Sequence, residues 1–334
     1  IKWFPDRRGM ATGMAIMGFG GGAMIGAPLS IWLMQHFASP DSVGIMQTFI
    51  IMGCIYFLSM LIGSFTIRTP PQNWRPVGWT PPVVQNDMIS QHHVHIDQVL
   101  KSPQFYLLWL VLCLNVTAGI GVLGQASVMI QEIFKGTISA AAAAGFVGLL
   151  SLFNMGGRFF WSSASDYIGR KHTFTLFFIL GIALYASVPA IGASGNMGFF
   201  ILLYALILSM YGGGFSTIPA YLADIFGTRY VGGIHGRLLT AWATAGILGP
   251  VLVNYIREFQ IEQGVAKADA YSVTMYIMAG LLSLGFICNL MIRPVHEKHH
   301  IKHDALDEID SIFPHSKQTD LEKSAANNSH EEIR

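Results

Sequence analysis

Residues 172–223 read HTFTLFFILGIALYASVPAIGASGNMGFFILLYALILSMYGGGFSTIPAYLA, 52 residues without an Asp, Glu, Lys or Arg. A helix needs about 20 apolar residues to cross the hydrocarbon core of a bilayer. The stretch is long enough for two crossings, and Gly192-Ala193-Ser194-Gly195-Asn196 supplies the break between them. Six further uncharged windows, 9–40, 42–67, 102–131, 136–157, 238–256 and 270–292, each fit one crossing, which makes eight. Lipid offers the backbone no hydrogen-bond partners, so these spans are helices. The residue alternation of a membrane barrel is absent. The sequence predicts an all-α polytopic membrane protein with eight transmembrane helices.

Composition agrees. Of 334 residues, 52% are hydrophobic and only 12% are Asp, Glu, Lys or Arg, about half the charge of a soluble domain. Residues 294–334 hold 14 of the 39 charges, so the body is poorer still. These numbers exclude a disordered, collagen-like or disulfide-rich chain, and a formal net charge of +1 gives no field for nucleic acid. Cys54, Cys113 and Cys288 all fall in predicted spans and read as small hydrophobes. Gly18-x-Gly20-x-x-Ala23 sits in an uncharged span with no strand before it, so no nucleotide site and no cofactor is expected. No nucleophile or acid–base cluster suggests an enzyme. His92, His93 and His95, and the tail's His296, His299, His300 and His303, read as solvated polar residues rather than a metal site.

Charge placement orients the chain. Loops 1–8, 68–103, 164–173 and 223–237 carry ten Lys and Arg, against Lys135, Arg257 and Lys267 in the alternate set. By the positive-inside rule the first set is cytoplasmic, and with an even number of spans so is the C-terminus. Residues 68–103, with Pro70-Pro71, Pro76 and Pro81-Pro82, read as a cytoplasmic linker with a short helix near 96–101. The expected organisation is two spans in 1–67, the linker 68–103, six spans in 104–293 and a polar cytoplasmic tail 294–334 with an amphipathic turn or two in Asp304–Phe313. An offset of 222 aligns Phe4 with Phe226, Arg7 with Arg229 and Pro28 with Pro250. Parallel repeats of this kind build many transporters as two halves around a midplane site. If six spans make one half, four spans are expected upstream of Ile1.

Two features inside the spans stand out. The window 9–40 contains Gly9, Gly13, Gly18, Gly20, Gly21, Gly22 and Gly26. Small residues let transmembrane helices approach closely. Gly18, Gly22 and Gly26 are the expected packing positions, with Pro28 bending the helix. Arg158 is the only Lys or Arg well inside a span. An intramembrane charge costs about 2.5–3.5 kcal/mol on insertion scales, so it faces protein or water. Ser151, Asn154, Trp161, Ser162 and Ser165 share its helical face, as on a helix that lines an aqueous cavity. The bland alternative is that Arg158 snorkels towards Asp166, about two turns away.

These residues resemble the major facilitator superfamily, and within it the oxalate/formate antiporter family. Trp3-Phe4-Pro5-Asp6-Arg7-Arg8-Gly9, followed by Gly18-Phe19-Gly20-Gly21-Gly22 and Gly26-Ala27-Pro28, is similar to that family's loop before the fifth helix and the helix itself. Gly157-Arg158-Phe159-Phe160-Trp161 leading to Asp166-Tyr167-Ile168-Gly169-Arg170-Lys171 is similar to its eighth helix and the following gating loop. The resemblance implies helices 5 to 12 of twelve, and an alternating-access secondary transporter that is monomeric, lies in the plasma membrane and carries a small organic anion. Arg158 aligns with the family's substrate-carboxylate ligand, and its planar fork suits a carboxylate. Asn154, Asn115, Tyr204, Tyr211 and Trp242 would share the cavity. Gln125, Ser216 and Tyr221 are other polar residues on cavity-lining helices. Asp166, Gly169, Arg170 and Lys171 would form the cytoplasmic gate, Asp166 capping a neighbouring helix and Arg170 and Lys171 anchoring to lipid headgroups. The gating motif departs in having Ser162 for Gly and Tyr167 for Arg. Where the family's dicarboxylate exchange site has a second cation after a Thr-Ala step, Thr240-Ala241 here precedes Trp242. One cation suits a monocarboxylate such as formate, lactate or pyruvate, moved by exchange or with protons.

Overall fold

The computed structural model describes residues 1–71, 74–80, 88–90 and 92–301. Among the described residues the helices run α1 (Arg8–His36), α2 (Ile45–Thr66), α3 (Ile96–Val99), α4 (Pro103–Ile133), α5 (Ala140–Ile168), α6 (Arg170–Ala193), α7 (Met197–Phe226), α8 (Val231–Glu262) and α9 (Ser272–Met291). All but α3 are long and apolar enough to cross a membrane, eight in total. The short α3 lies in the linker where a helix is expected. His303, the Asp304–Phe313 stretch and the rest of the tail from 302 lie outside the described residues, as do 81–87 of the linker.

The break inside 172–223 falls as the sequence dictates. α6 stops at Ala193, Gly195 takes φ +68°, and the Asn196 side chain accepts the Phe199 N–H at 3.1 Å to start α7. Ser139 starts α5 in the same way, accepting from Ala142 N at 3.2 Å.

α7 is the hub. From Phe200 to Phe226 nearly every residue on it is buried, which explains why its hydrophobicity continues around the whole helix. α5 packs on one side of it, while α4 pairs with α8 and α6 with α9. These crossings run through glycines that hydropathy does not single out. A Cβ on Gly157 would overlap the Ser209 carbonyl, and one on Gly212 the Asn154 carbonyl, so α5 and α7 touch backbone to backbone. A Cβ on Gly249 would stand 2.7 Å from the Thr117 carbonyl at the α4–α8 crossing. Gln125 Nε2 donates to Asn254 Oδ1 at 2.6 Å, and Trp109 Nε1 to Thr240 Oγ1 at 2.9 Å, tying the same pair.

α1 lies along α5 and α7, and α2 touches α1. The contact of α1 with α5 runs on other glycines than the expected stripe. Among the described residues nothing lies within 4 Å of a Cβ on Gly18 or Gly22, and only the Tyr56 hydroxyl, at 3.7 Å, near one on Gly26. The close approach to α5 runs through Gly9, Gly13, Gly20 and Gly21. A Cβ on Gly13 would sit 2.7 Å from the Arg158 carbonyl, and one on Gly20 2.8 Å from Arg158 Nε. At roughly 100° per residue, Gly9, Gly13 and Gly20 share a face that Gly18 and Gly22 oppose. Pro28 lies inside α1 eight residues from its end, as Pro250 lies inside α8.

Candidate functional site

Arg158 is the centre of the site. Helical side chains lean towards the helix N-terminus, and Arg158 does so: Nε donates to Asn154 Oδ1 at 2.9 Å, one turn back on α5 and away from Asp166. Nη1 reaches the Ile16 carbonyl of α1 at 3.4 Å. The guanidinium carbon lies 5.2 Å from the ring centres of both Phe19 on α1 and Phe215 on α7. Phe19 and Phe215 stack on each other at 6.2 Å, the guanidinium stands beside that pair within reach of both rings, and Gly20 leaves room for it to enter. Trp242 of α8 closes the box, 6.1 Å from Phe19 edge-on and 5.7 Å from Phe215. Tyr211 lies near both the Trp242 indole and the guanidinium. Arg158 is 3% exposed, and no Asp or Glu pairs with it among the described residues. The arrangement is a desolvated, permanent cation with donors to spare and apolar walls.

Of the residues expected at the site, Asn154 bonds Arg158, Tyr211 lies near it, and Trp242 packs on the two phenyl rings beside it. Two others lie elsewhere. Tyr204 is fully buried in the bundle, its hydroxyl pointing at Met129 Sδ (3.3 Å) and Met275 Sδ (3.6 Å), so it is a core residue. Asn115 is buried between α4 and α7 with Oδ1 against Gly214. It lines a cavity of about 20 Å³ with Tyr185 and Tyr211, room for a single water. The polar stripe around Arg158 is also corrected. Ser162 Oγ bonds Ser216 Oγ at 2.6 Å, Ser165 Oγ donates to the Ser162 carbonyl at 2.6 Å, and Trp161 Nε1 donates to Ser209 Oγ at 3.2 Å. Trp161 and Ser162 are satisfied across to α7, and Ser165 within α5, rather than by open water. Phe19 and Phe215 escape the sequence reading because nothing distinguishes them among 22 phenylalanines.

A second cluster closes the end that carries the basic loops. α1 has no side-chain cap of its own at Arg7. Asp166 from the last turn of α5 supplies one, its two oxygens accepting the Gly9 and Met10 N–H groups, each at 2.8 Å. That satisfies two orphan donors and sets a negative charge against the positive helix end. Arg170 Nη2 donates to Asp166 Oδ1 at 2.5 Å, and its Nε lies 3.3 Å from Asp224 Oδ2 on α7. Arg8 at the start of α1 approaches Asp224 Oδ1 at 3.3 Å. One network thus joins α1, α5, α6 and α7. Gly169 links α5 to α6 at φ +89°, a backbone that favours glycine. The expected lipid anchors are corrected: Arg170 is 8% exposed inside this network, and Lys171 Nζ donates to the Leu290 and Ile292 carbonyls at the end of α9. Tyr167, where the gating motif has Arg, is 82% exposed and takes no part.

The opposite end has its own tie. Arg257 of α8 forks onto both carboxylate oxygens of Glu132 on α4, and Tyr271 Oη donates to Glu132 Oε2 at 2.6 Å. Glu132 stands one residue beyond an uncharged window, so its role shows only in three dimensions.

The sequence pattern of the Major Facilitator Superfamily matches residues 1–250. The chain is 31% identical over 248 residues to the oxalate:formate antiporter of Oxalobacter formigenes, covering 74% of this chain and 55% of that one. It is 24% identical over 247 residues to the uncharacterized MFS-type transporter YhjX of Escherichia coli (strain K12), covering 74% and 57%. To the apicoplast pyruvate carrier 1 of Toxoplasma gondii it is 22% identical over 355 residues, covering 90% and 62%. The chain therefore spans a little over half the length of these curated relatives. The relatives are transporters rather than enzymes, and the family agrees with the eight apolar helices. This chain is a multi-pass membrane protein that belongs to the Major Facilitator Superfamily.

Proposed function

We propose that this chain is the substrate-binding part of a secondary transporter for small monocarboxylates of the formate, lactate or pyruvate kind, working by exchange or proton coupling through alternating access. One observation carries the reading: Arg158 is a desolvated cation beside the stacked Phe19 and Phe215 rings, with no acidic partner among the described residues. A carboxylate entering the box takes the unused prongs of the guanidinium and relieves the charge. Trp242 and the phenyl rings pack on a short alkyl chain, and Tyr211 offers a hydroxyl. The names of two relatives, an oxalate:formate antiporter and a pyruvate carrier, fit a small carboxylate. A dicarboxylate is the second reading, favoured by the first of those names. A single cation at the site weighs against it, since a dianion desolvated beside one charge is poorly compensated.

In this reading the basic loops and the C-terminus face the cytoplasm of a plasma-membrane protein, α1 and α2 end one six-helix bundle, α4 to α9 form the other, and the protein acts as a monomer. The Asp166–Arg170–Asp224–Arg8 network is then the cytoplasmic gate, closed here. The test is uptake of labelled lactate or formate by the full-length protein. Arg158→Lys keeps the charge and loses the fork, and Arg158→Gln loses both. A lost charged hydrogen bond is worth about 1.5–3 kcal/mol, roughly ten- to a hundredfold in affinity. Uptake falls from wild type to Lys to Gln, with equal membrane insertion. Normal transport by Arg158→Gln would show that the arginine is structural and remove the carboxylate site.

A further inference from the structure

The histidines that composition leaves as solvated residues converge where linker and tail meet at the basic end. The Ser90 N–H donates to the Asp224 carbonyl at 2.7 Å and the Val94 N–H to the Phe226 carbonyl at 3.0 Å, so the linker takes acceptors that the last turn of α7 leaves open. The tail lies back over the linker. Ile301 N–H donates to the His93 carbonyl at 2.9 Å, Val94 and His300 form an antiparallel bridge, and the His92 and His300 rings stack at 5.0 Å. Val94 is fully buried and His299 is 9% exposed. Gly227, at φ +80°, lets the His93 ring press against the end of α7, where a Cβ would collide with Nδ1. That Nδ1 is buried without a hydrogen-bond partner among the described residues.

We propose that this seam is an acid-labile latch: linker and tail clamp the end of α7 while His93 and His300 are neutral, and protonation of these histidines releases the tail from the linker. A charged His93 would place a new N–H donor against Gly227 with nothing to receive it, and a charged His300 would sit stacked on His92. The neighbours add to this. Burial first, then Arg229, His92, Lys2 and Arg8 hold the His93 imidazole below the ordinary histidine value. Burial, His92, His299 and His296 do the same to His300, opposed by Glu297. His299 is lowered by burial and by Lys298, His296 and Lys101. Histidines with docked values below the free value of about 6.5 bind more protons once released. The latch is therefore at full strength above about pH 6.5 and weakens as the pH falls from there through the docked values. Because Ser90 and Val94 cap the same α7 that carries Asp224, release loosens the helix end on which the Arg8 and Arg170 pairs depend.

The seam is tested without any substrate. Spin labels at Leu100 and Lys298, both exposed, report its width in the full-length protein in lipid nanodiscs, with exposed Cys54 replaced by Ser. One narrow inter-label distance is expected at pH 7.5, giving way to a longer, broad component in at least half of the molecules at pH 5. A His93→Gln/His300→Phe double variant is expected to keep the narrow distance to pH 5. Should that variant be open already at neutral pH, His300→Phe alone, which keeps a ring on His92, decides in the same way. A wild-type distance unchanged from pH 7.5 to 5, or a variant that opens on acidification with the wild-type midpoint, overturns the latch.

Discussion

The Asp166 carboxylate caps α1 from 157 residues away, taking the Gly9 N–H on one oxygen and the Met10 N–H on the other. A cap from within the helix would travel with it. A cap from α5 holds only while α1 and α5 stay together, so the first turn of α1 is most stable when the basic end is closed. The same carboxylate binds Arg170, and Arg170 binds Asp224. One acidic residue thus carries two helix-end hydrogen bonds that break if α1 swings away, while its ion pair with Arg170 joins α5 to α6 and does not depend on α1.

Asp166→Asn is therefore expected to favour the open basic end. The amide keeps one acceptor but loses the charge, and hydrogen bonds to charged groups are worth about 1.5–3 kcal/mol. A cysteine at buried Thr12 reports the change, because it lies one turn inside the capped end. Its labelling rate from the basic side should rise about tenfold or more over the Asp166 background. An unchanged rate would mean that the cap adds nothing to closure.

Glycine substitutions on α1 should separate the two faces of that helix. In Gly13→Ala the new methyl meets the Arg158 carbonyl at 2.7 Å and the Ser162 Cβ at 2.9 Å, both on a helix that cannot yield locally. Overpacking of this kind costs about 1–3 kcal/mol. Gly18→Ala and Gly22→Ala place the methyl against no described residue. Thermal unfolding in detergent should show a clear loss of stability for Gly13→Ala and little change for Gly18→Ala. Equal losses at both positions would refute the assignment of the packing face.

The spans were readable because charge alone marks them. Runs such as 172–223 admit few alternatives in a bilayer, and the Gly195-Asn196 break between α6 and α7 follows from local turn chemistry. Arg158 was readable for the same reason, as a rare intramembrane charge. Its walls were not. Phe19, Phe215 and Gly20 reach it from helices far apart in sequence, and an aromatic in an apolar span carries no mark of which face it occupies. Tyr204 and Asn115 illustrate the converse. A polar group on a membrane helix looks alike in sequence whether it meets a substrate, a methionine sulfur or a neighbouring glycine. Asp224 and Glu132 sit at the edges of uncharged windows, where a charge reads as solvated until the fold brings an arginine to it from another helix.

The phenyl pair makes a prediction about charge rather than shape. Phe19→Leu and Phe215→Leu keep an apolar wall but remove the two rings beside the guanidinium. Each desolvated cation–π contact is worth about 1–2 kcal/mol. In the substrate-free protein the arginine should become less well compensated, with lower thermal stability in each variant and more in the double variant. Added carboxylate should restore more stability to the variants than to wild type, because it supplies the compensation the rings no longer give. Thermal shifts measured with and without lactate check this, and equal shifts in all forms would show that the rings do not carry the charge.

Trp242→Lys changes the number of cations at the site. The indole stands 6.1 Å from Phe19 and 5.7 Å from Phe215, in the same box as Arg158, and α8 places residue 242 just beyond the Thr240 that anchors Trp109. A lysine there puts a second ammonium near the guanidinium. Without an anion the two repel, so the variant should be less stable than wild type at low salt. A dianion answers both charges at once, whereas a monoanion leaves one unpaired in a desolvated box. Competition should therefore invert: oxalate should displace labelled lactate weakly from wild type and at least tenfold better from Trp242→Lys, in full-length protein of each form. A lysine variant that still prefers lactate would mean that residue 242 lies outside the anion's reach, and that the monocarboxylate preference proposed for the single arginine has another origin.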